Sequence, residues 1–214
     1  GEEGEGNLLG AHAMARRFKE RARDALIFDL SLSRAARTAV GSIREELTFT
    51  VRGGHSWGDF GQPSALHEAA RWIGKLETAF PWERGARSFN IGALSGGTGI
   101  NVIAGEARLK LDIRSTNPAF LDEAAAWLER EAARLNGAEG VTLTRRLIGV
   151  RPAGGVPADH PLVRVLHEAQ EAAGLPPLHW DAYSTNGNAF LHAGIPAVVT
   201  GLAEGHGIHT EKEF

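Results

Sequence analysis

The chain of 214 residues contains no cysteine, which excludes disulfides and thiolate metal sites together. Any transition metal bound here must rest on histidine, aspartate and glutamate. The formal net charge of −3 supplies no surplus of cations for nucleic acid or an anionic membrane surface. No apolar run approaches the length of a membrane span. No basic-then-apolar leader opens the sequence, so a cytoplasmic location is the default expectation. Repeats and low-complexity tracts are also missing. What remains is ordinary for a globular protein: 43% hydrophobic and 23% charged residues. A chain of this size can bury a substantial core as one large domain or two small ones.

Asn7 is placed to cap a helix running to about Ala22, with Leu8, Leu9, Ala11, Met14, Ala15 and Phe18 as its apolar stripe. Ala25–Phe28 reads as a short buried strand ending at Asp29. Glu46 to Val51 alternates as a half-exposed strand, and the glycine-rich loop Gly53–Gly61 follows. Pro63 to Leu76 has a helical period, with proline in its first turn. Ser88 to Leu94 and Asn101 to Ile113 read as strands, Pro118 to Leu135 as a helix, and Val141 to Val150 as a last strand. This middle stretch spells β-α-β-β-α-β, the split-βαβ or ferredoxin-like pattern. Pro152–Pro157 is rich in proline and glycine and reads as a linker. Beyond it come a helix over Leu162–Ala173, a helical turn at Asn188–His192 and a buried strand at Ala197–Thr200. The expected fold class is α/β. A catalytic domain in two parts, 1–43 and 152–214, is interrupted by a lid over 44–151.

Several residues carry chemistry. Glu2 and Glu3 stand between glycines before the first helix, where neighbouring carboxylates point apart and can serve an ion and its bound water separately. Acids also favour helix N-termini through the dipole alone. Asp29 ends a strand, the place where α/β folds put ligands. His206 and His209 flank a glycine-rich C-terminal loop, and His55 is presented by the glycines around it. Arg114 closes a strand and can clamp a carboxylate, and Asn101 follows the Gly96–Gly99 loop.

Taken in order, these motifs resemble the co-catalytic zinc aminopeptidase and amidohydrolase family of peptidase T, carboxypeptidase G, aminoacylase and succinyl-diaminopimelate desuccinylase. The resemblance rests on Gly1-Glu2-Glu3-Gly4, on Gly53-Gly54-His55-Ser56, and on Gly99-Ile100-Asn101-Val102-Ile103 leading to Asp112-Ile113-Arg114. It continues through Ser184-Thr185-Asn186-Gly187-Asn188, Gly194-Ile195-Pro196-Ala197 and His209-Thr210-Glu211. It implies a zinc-peptidase-like catalytic domain carrying a ferredoxin-like lid and dimerisation domain. Two zinc ions per complete active site are implied, with cobalt or manganese as substitutes. By this resemblance Glu2 is the general base, Glu3 and His209 are ligands of one zinc, and Asp29 is a ligand of the other. His206 is a near-site residue. His55 corresponds to a lid histidine that, in dimeric members, enters the partner's active site to stabilise an oxyanion. Asn101 and Arg114 correspond to groups holding the substrate's carbonyl or carboxylate, and Ser184, Thr185 and Asn188 to a substrate-side loop. The implied substrate is a small peptide or an N-acyl amino acid, and the implied partner is a second copy joined through the lid.

Two departures shape the expectation. The family's His-x-Asp motif and its bridging aspartate have no counterpart here, so the chain reads as the C-terminal two-thirds of an enzyme. Taken alone it would bind metal weakly and hydrolyse nothing. Asn186 stands where relatives often carry aspartate, which alters how a charged amine would be received. The alternatives are a non-catalytic fragment that folds and dimerises through the lid, and a module binding a single metal ion.

Overall fold

The computed structural model describes residues 7–137 and 140–203. The chain divides into two compact units. One comprises the chain through Gly41, Thr116–Pro118 and the chain from Arg151 onward; the other comprises Ser42–Ser115 and Ala119–Val150.

The second unit is built on a four-stranded sheet of β3 (Gly41–Val51), β5 (Arg87–Gly96), β7 (Glu106–Ser115) and β8 (Val141–Arg151), in the spatial order β5-β7-β3-β8. With α2 (Ala65–Ala79) after β3 and α3 (Pro118–Asn136) after β7, this is the ferredoxin-like arrangement expected from the periodicity. Alternation explains the sheet's buried face. Leu47, Phe49 and Val51 on β3, and Ala107, Leu109, Leu111 and Ile113 on β7, are all buried, at every second position. Helix α2 answers with Ala65, Ala69, Trp72 and Leu76, a stripe at helical spacing. An aromatic chain runs through this core: Phe49 meets Trp72, Trp72 meets Trp127, and Phe80 meets both Trp127 and Phe120.

The first unit holds a five-stranded sheet with β1 (Ala25–Phe28), β11 (Ala197–Thr200), β2 (Arg34–Ala39) and β10 (His179–Tyr183) in that order, and with β9 (Gly154–Gly155) also paired to β2. β1 runs parallel to β11, and β2 runs parallel to β10. Val198 and Ala35 from the sheet join Val163 and Leu166 of α4 (Pro161–Ala172), Leu178 and Val156 in its core.

Several expected boundaries move. The first helix, α1, covers only Leu9–Phe18; Leu8 before it adopts a left-handed conformation at φ 56° and, as leucine, offers no side-chain acceptor. Helix α2 starts after Ser64, so Pro63 precedes it rather than opening it. The strand expected over Asn101–Ile113 is two strands, β6 (Val102–Ile103) and β7, separated at Ala104-Gly105. Strands β2 and β10 were not anticipated. β2 is Arg-Ala-Ala-Arg-Thr-Ala, too polar and alanine-rich to announce a strand, and it is held by pairing on both sides. The expected linker contains β9, whose two glycines pair with Thr38 and Ala39.

Candidate active site

Two clusters of candidate residues lie within the described structure, one in each unit. Glu2, Glu3, His206 and His209 lie outside the described residues.

In the second unit, β4 (Gly54–His55) pairs antiparallel with β6, setting His55 opposite Val102. Gly53 makes the turn before it at φ 73°, and Gly97 makes the turn after β5 at φ 71°. A side chain at Gly54 would stand 2.8 Å from an Asp59 carboxylate oxygen, so this glycine lets the loop close on itself. Within that loop the Asp59 carboxylate accepts the His55 backbone N–H at 2.8 Å. The His55 Nδ1 accepts the backbone N–H groups of Trp57 at 3.2 Å and Gly58 at 3.3 Å. With Nδ1 an acceptor, the neutral imidazole carries its proton on Nε2 and offers it as a donor. The Ser56 N–H then reaches the Asn101 carbonyl at 3.0 Å, joining the histidine loop to the Gly96–Asn101 turn. His55 and Asn101, 46 positions apart by their numbers, are thus neighbours on two bonded turns, and both are exposed.

Arg114 is not with them. β5 and β7 pair from Arg87 with Ser115 to Gly96 with Ala107, so the Asn101 turn caps one end of this hairpin and Arg114 lies at the other. From Ala107 to Arg114 a strand rising ~3.3 Å per residue covers about 23 Å. Arg114 donates its Nε–H to Asp112 at 2.8 Å and keeps 42% of its side chain exposed.

In the first unit, Asp29 directly follows β1 and donates its backbone N–H to Thr200. Its Oδ2 accepts the Asn186 backbone N–H at 3.1 Å and the Asn186 side-chain amide at 3.4 Å. The strand-end aspartate and the Ser184–Asn188 loop are therefore joined. That loop is held from beneath by Asn188, which is wholly buried. Its Nδ2 donates to the carbonyls of Val40 at 2.9 Å and Pro152 at 2.8 Å, and its Oδ1 accepts the Thr185 N–H at 2.8 Å. Thr185 is also buried, and its hydroxyl accepts the Gly187 N–H at 3.1 Å. Ser184 accepts from Arg151 Nη1 at 3.2 Å. Of the residues read as a substrate-side loop, Thr185 and Asn188 have their polar atoms turned inward to the backbone.

Three participants were not singled out in the sequence: Asp59, Arg151, and Asn186 as the partner of Asp29. An aspartate four residues after a histidine in a glycine-rich turn is a recognisable local acceptor, and Asp59 could have been found that way. The Arg151–Ser184 and Asn186–Asp29 contacts join distant segments and have no local signature.

Among the described residues no group of three or more histidine, aspartate or glutamate side chains could hold a metal ion. Asp29 alone of the three expected ligands is described. A carboxylate at a strand end, with one oxygen oriented by neighbouring amide donors, fits the donor chemistry of a metal ligand and its outer-shell support. No helix among the described residues is long and apolar enough to cross a membrane.

Residues 37–138 match the family model described as a peptidase dimerisation domain. No curated protein matches the chain. Among solved structures, an aminopeptidase PepT from Bacillus cereus is similar at 22% identity and a TM-score of 0.78, over 98% of this chain and 56% of that one. A tripeptidase from Staphylococcus aureus is similar at 19% identity and a TM-score of 0.74, over 95% of this chain and 56% of that one. An amidase of the hydantoinase/carbamoylase family from Burkholderia phymatum is similar at 20% identity and a TM-score of 0.63, over 85% of this chain and 48% of that one. The chain thus spans roughly half the length of the solved structures it matches. Residues 37–138 are thus similar to a peptidase dimerisation domain, and the fold is similar to that of the solved aminopeptidase and tripeptidase.

Proposed function

We propose that the protein hydrolyses an amide bond in a small peptide or an N-acyl amino acid, using a metal-activated water. The observation that carries this reading is His55. Its Nδ1 is engaged by two backbone N–H groups, and Asn101 is bonded to the same turn. A histidine fixed in the Nε2–H tautomer is a donor suited to the oxygen that gains charge as water adds to an amide carbonyl. Donors held in place before the reaction need no reorganisation during it, which is why the self-bonded loop matters.

The remaining roles follow the resemblance. Glu2 takes a proton from the attacking water and returns it to the leaving amine. Glu3 and His209 hold one zinc ion and Asp29 the second, with Asn186 orienting the Asp29 carboxylate. Zinc bound there supplies Lewis acidity, lowering the pKa of the water and polarising the carbonyl. Arg114, half-exposed, meets a substrate carboxylate. Asn101 holds the carbonyl, and Ser184 lies on the substrate-side loop.

A second reading is supported by the family match itself: residues 37–138 serve as a homodimerisation surface, with or without hydrolysis. The two readings are compatible, since a lid that pairs two copies is what would carry His55 into a partner's site.

The test is a hydrolysis screen of dipeptides, tripeptides and N-acyl amino acids with the intact, zinc-loaded protein, alongside its His55→Ala variant and a sedimentation measurement. Removing one oxyanion donor should lower kcat by about 10²–10³-fold with little change in folding. Wild-type protein with zinc bound and no turnover of any substrate would sink the hydrolytic reading. A dimer under those conditions would leave the dimerisation reading standing alone.

A further inference from the structure

The turns that present His55 and Asn101 also present bulky apolar side chains. Trp57 is 88% exposed and Phe60 is 90% exposed, and Ile100, next to Asn101, is exposed completely. Single exposed apolar residues are normal on a protein surface. Here they converge on two turns that the Ser56–Asn101 hydrogen bond holds together. The Trp57 backbone N–H is 3.2 Å from the His55 Nδ1, so the indole springs from a residue already anchored against the imidazole ring.

The same turns are poor in charge. Across residues 53–61 and 97–104 the sequence has one ionisable acid or base besides His55, which is Asp59. Its carboxylate is occupied by the His55 N–H. Arg114, the cation read as a clamp for a substrate carboxylate, is at the opposite end of the β5–β7 hairpin, while exposed Arg52 directly precedes the histidine loop. An apolar substituent next to the amide would find two exposed aromatic side chains and a branched aliphatic one on these turns.

We infer that the substrate carries a large apolar side chain, aromatic or branched aliphatic, beside the scissile amide, and that Trp57 and Phe60 receive it next to His55. This rests on the hydrolytic reading given above. It adds that the histidine loop selects the substrate as well as stabilising the oxyanion.

The experiment measures kcat/KM of the intact protein and of its Trp57→Ala and Phe60→Ala variants. The substrates are N-acetylated phenylalanine, leucine, alanine, lysine and glutamate, or the matching dipeptides if those are the ones turned over. Wild type should prefer the phenylalanine and leucine substrates. In the Trp57→Ala variant their advantage over the alanine substrate should fall about tenfold or more, the scale on which apolar pockets discriminate. Wild-type preference for lysine or glutamate would overturn the inference, as would an equal loss on every substrate. An equal loss accompanied by dissociation in sedimentation would show that Trp57 and Phe60 cover a second copy of the chain instead. Absence of turnover on all substrates by wild type would remove the hydrolytic reading itself, a result distinct from the others.

Discussion

The backbone N–H of Ser56 is 3.0 Å from the carbonyl oxygen of Asn101, and this bond extends the β4–β6 pairing that makes two glycine-rich loops one platform. One fastening within the histidine loop is the Asp59 carboxylate on the His55 N–H. Asp59→Ala removes that acceptor from an exposed loop whose core-facing residues are untouched. Unfolding should therefore change by no more than about 1 kcal/mol. The Nε2 of His55 should lose its fixed aim, and kcat should fall by about tenfold while KM changes less. A loss of stability with kcat intact would show that the loop serves folding only.

The ferredoxin-like unit was largely legible because its signals are local and repeated. Alternation on β3 and β7 and the helical stripes of α2 and α3 each match one buried face. The first unit was harder to read. β2 and β10 are short and polar, and they exist because Ala35, Thr38 and Ala39 find strand partners far away in sequence. Site geometry behaved likewise. The juxtaposition of His55 with Asn101 depends on β4 pairing with β6, and that of Asp29 with Asn186 on β1 pairing with β11. Residue types hinted at both sites, but strand pairing across long sequence separations is what assembled them.

Asn188 gives a prediction in the opposite sense from the one its motif suggests. Its amide satisfies three backbone groups, that of buried Thr185 and those of part-buried Val40 and Pro152. Asn188→Ala would strand all three and cost about 2–4 kcal/mol. Urea unfolding of the variant should show a lowered midpoint with an unchanged slope. A variant as stable as wild type would mean the loop finds other partners, and a purely substrate-binding role would regain ground.

Glu45 and Arg145 form an ion pair at the edge of the second unit's core, with Arg145 Nε and Nη2 donating to the Glu45 carboxylate at 2.8 and 2.6 Å. The bond to Glu45 is the main reason the Arg145 pKa lies above its ordinary value. The Glu45 side chain is 5% exposed, whereas Glu129, which also contacts Arg145, is 80% exposed. Arg145→Met leaves a buried carboxylate without its partner, a loss of about 3–5 kcal/mol. Glu129→Gln should change stability by less than about 1 kcal/mol. The double variant Glu45→Leu/Arg145→Met should recover much of the loss in chemical denaturation, because a buried apolar pair needs no desolvated charge. Failure to recover would assign the pair a role in specifying the packing.

His12 and His192 face each other edge to face, with ring centroids 5.9 Å apart. Burial holds the His12 pKa below its usual 6.5, and the neighbouring His192 and Arg16 add to the depression. The sign follows from which state takes up the proton. Below the unfolded pKa the unfolded chain binds a proton that native His12 resists, so stability falls as pH drops through that range. The loss levels off once the pH is below the folded value, where both states are protonated. His12→Gln should therefore shrink the fall in Tm between about pH 7 and about pH 5 by on the order of 1–2 °C. His192→Ala, which removes only the second contribution, should shrink it by less. Identical pH profiles for wild type and His12→Gln would show that His12 is as easily protonated in the folded chain as in the unfolded one.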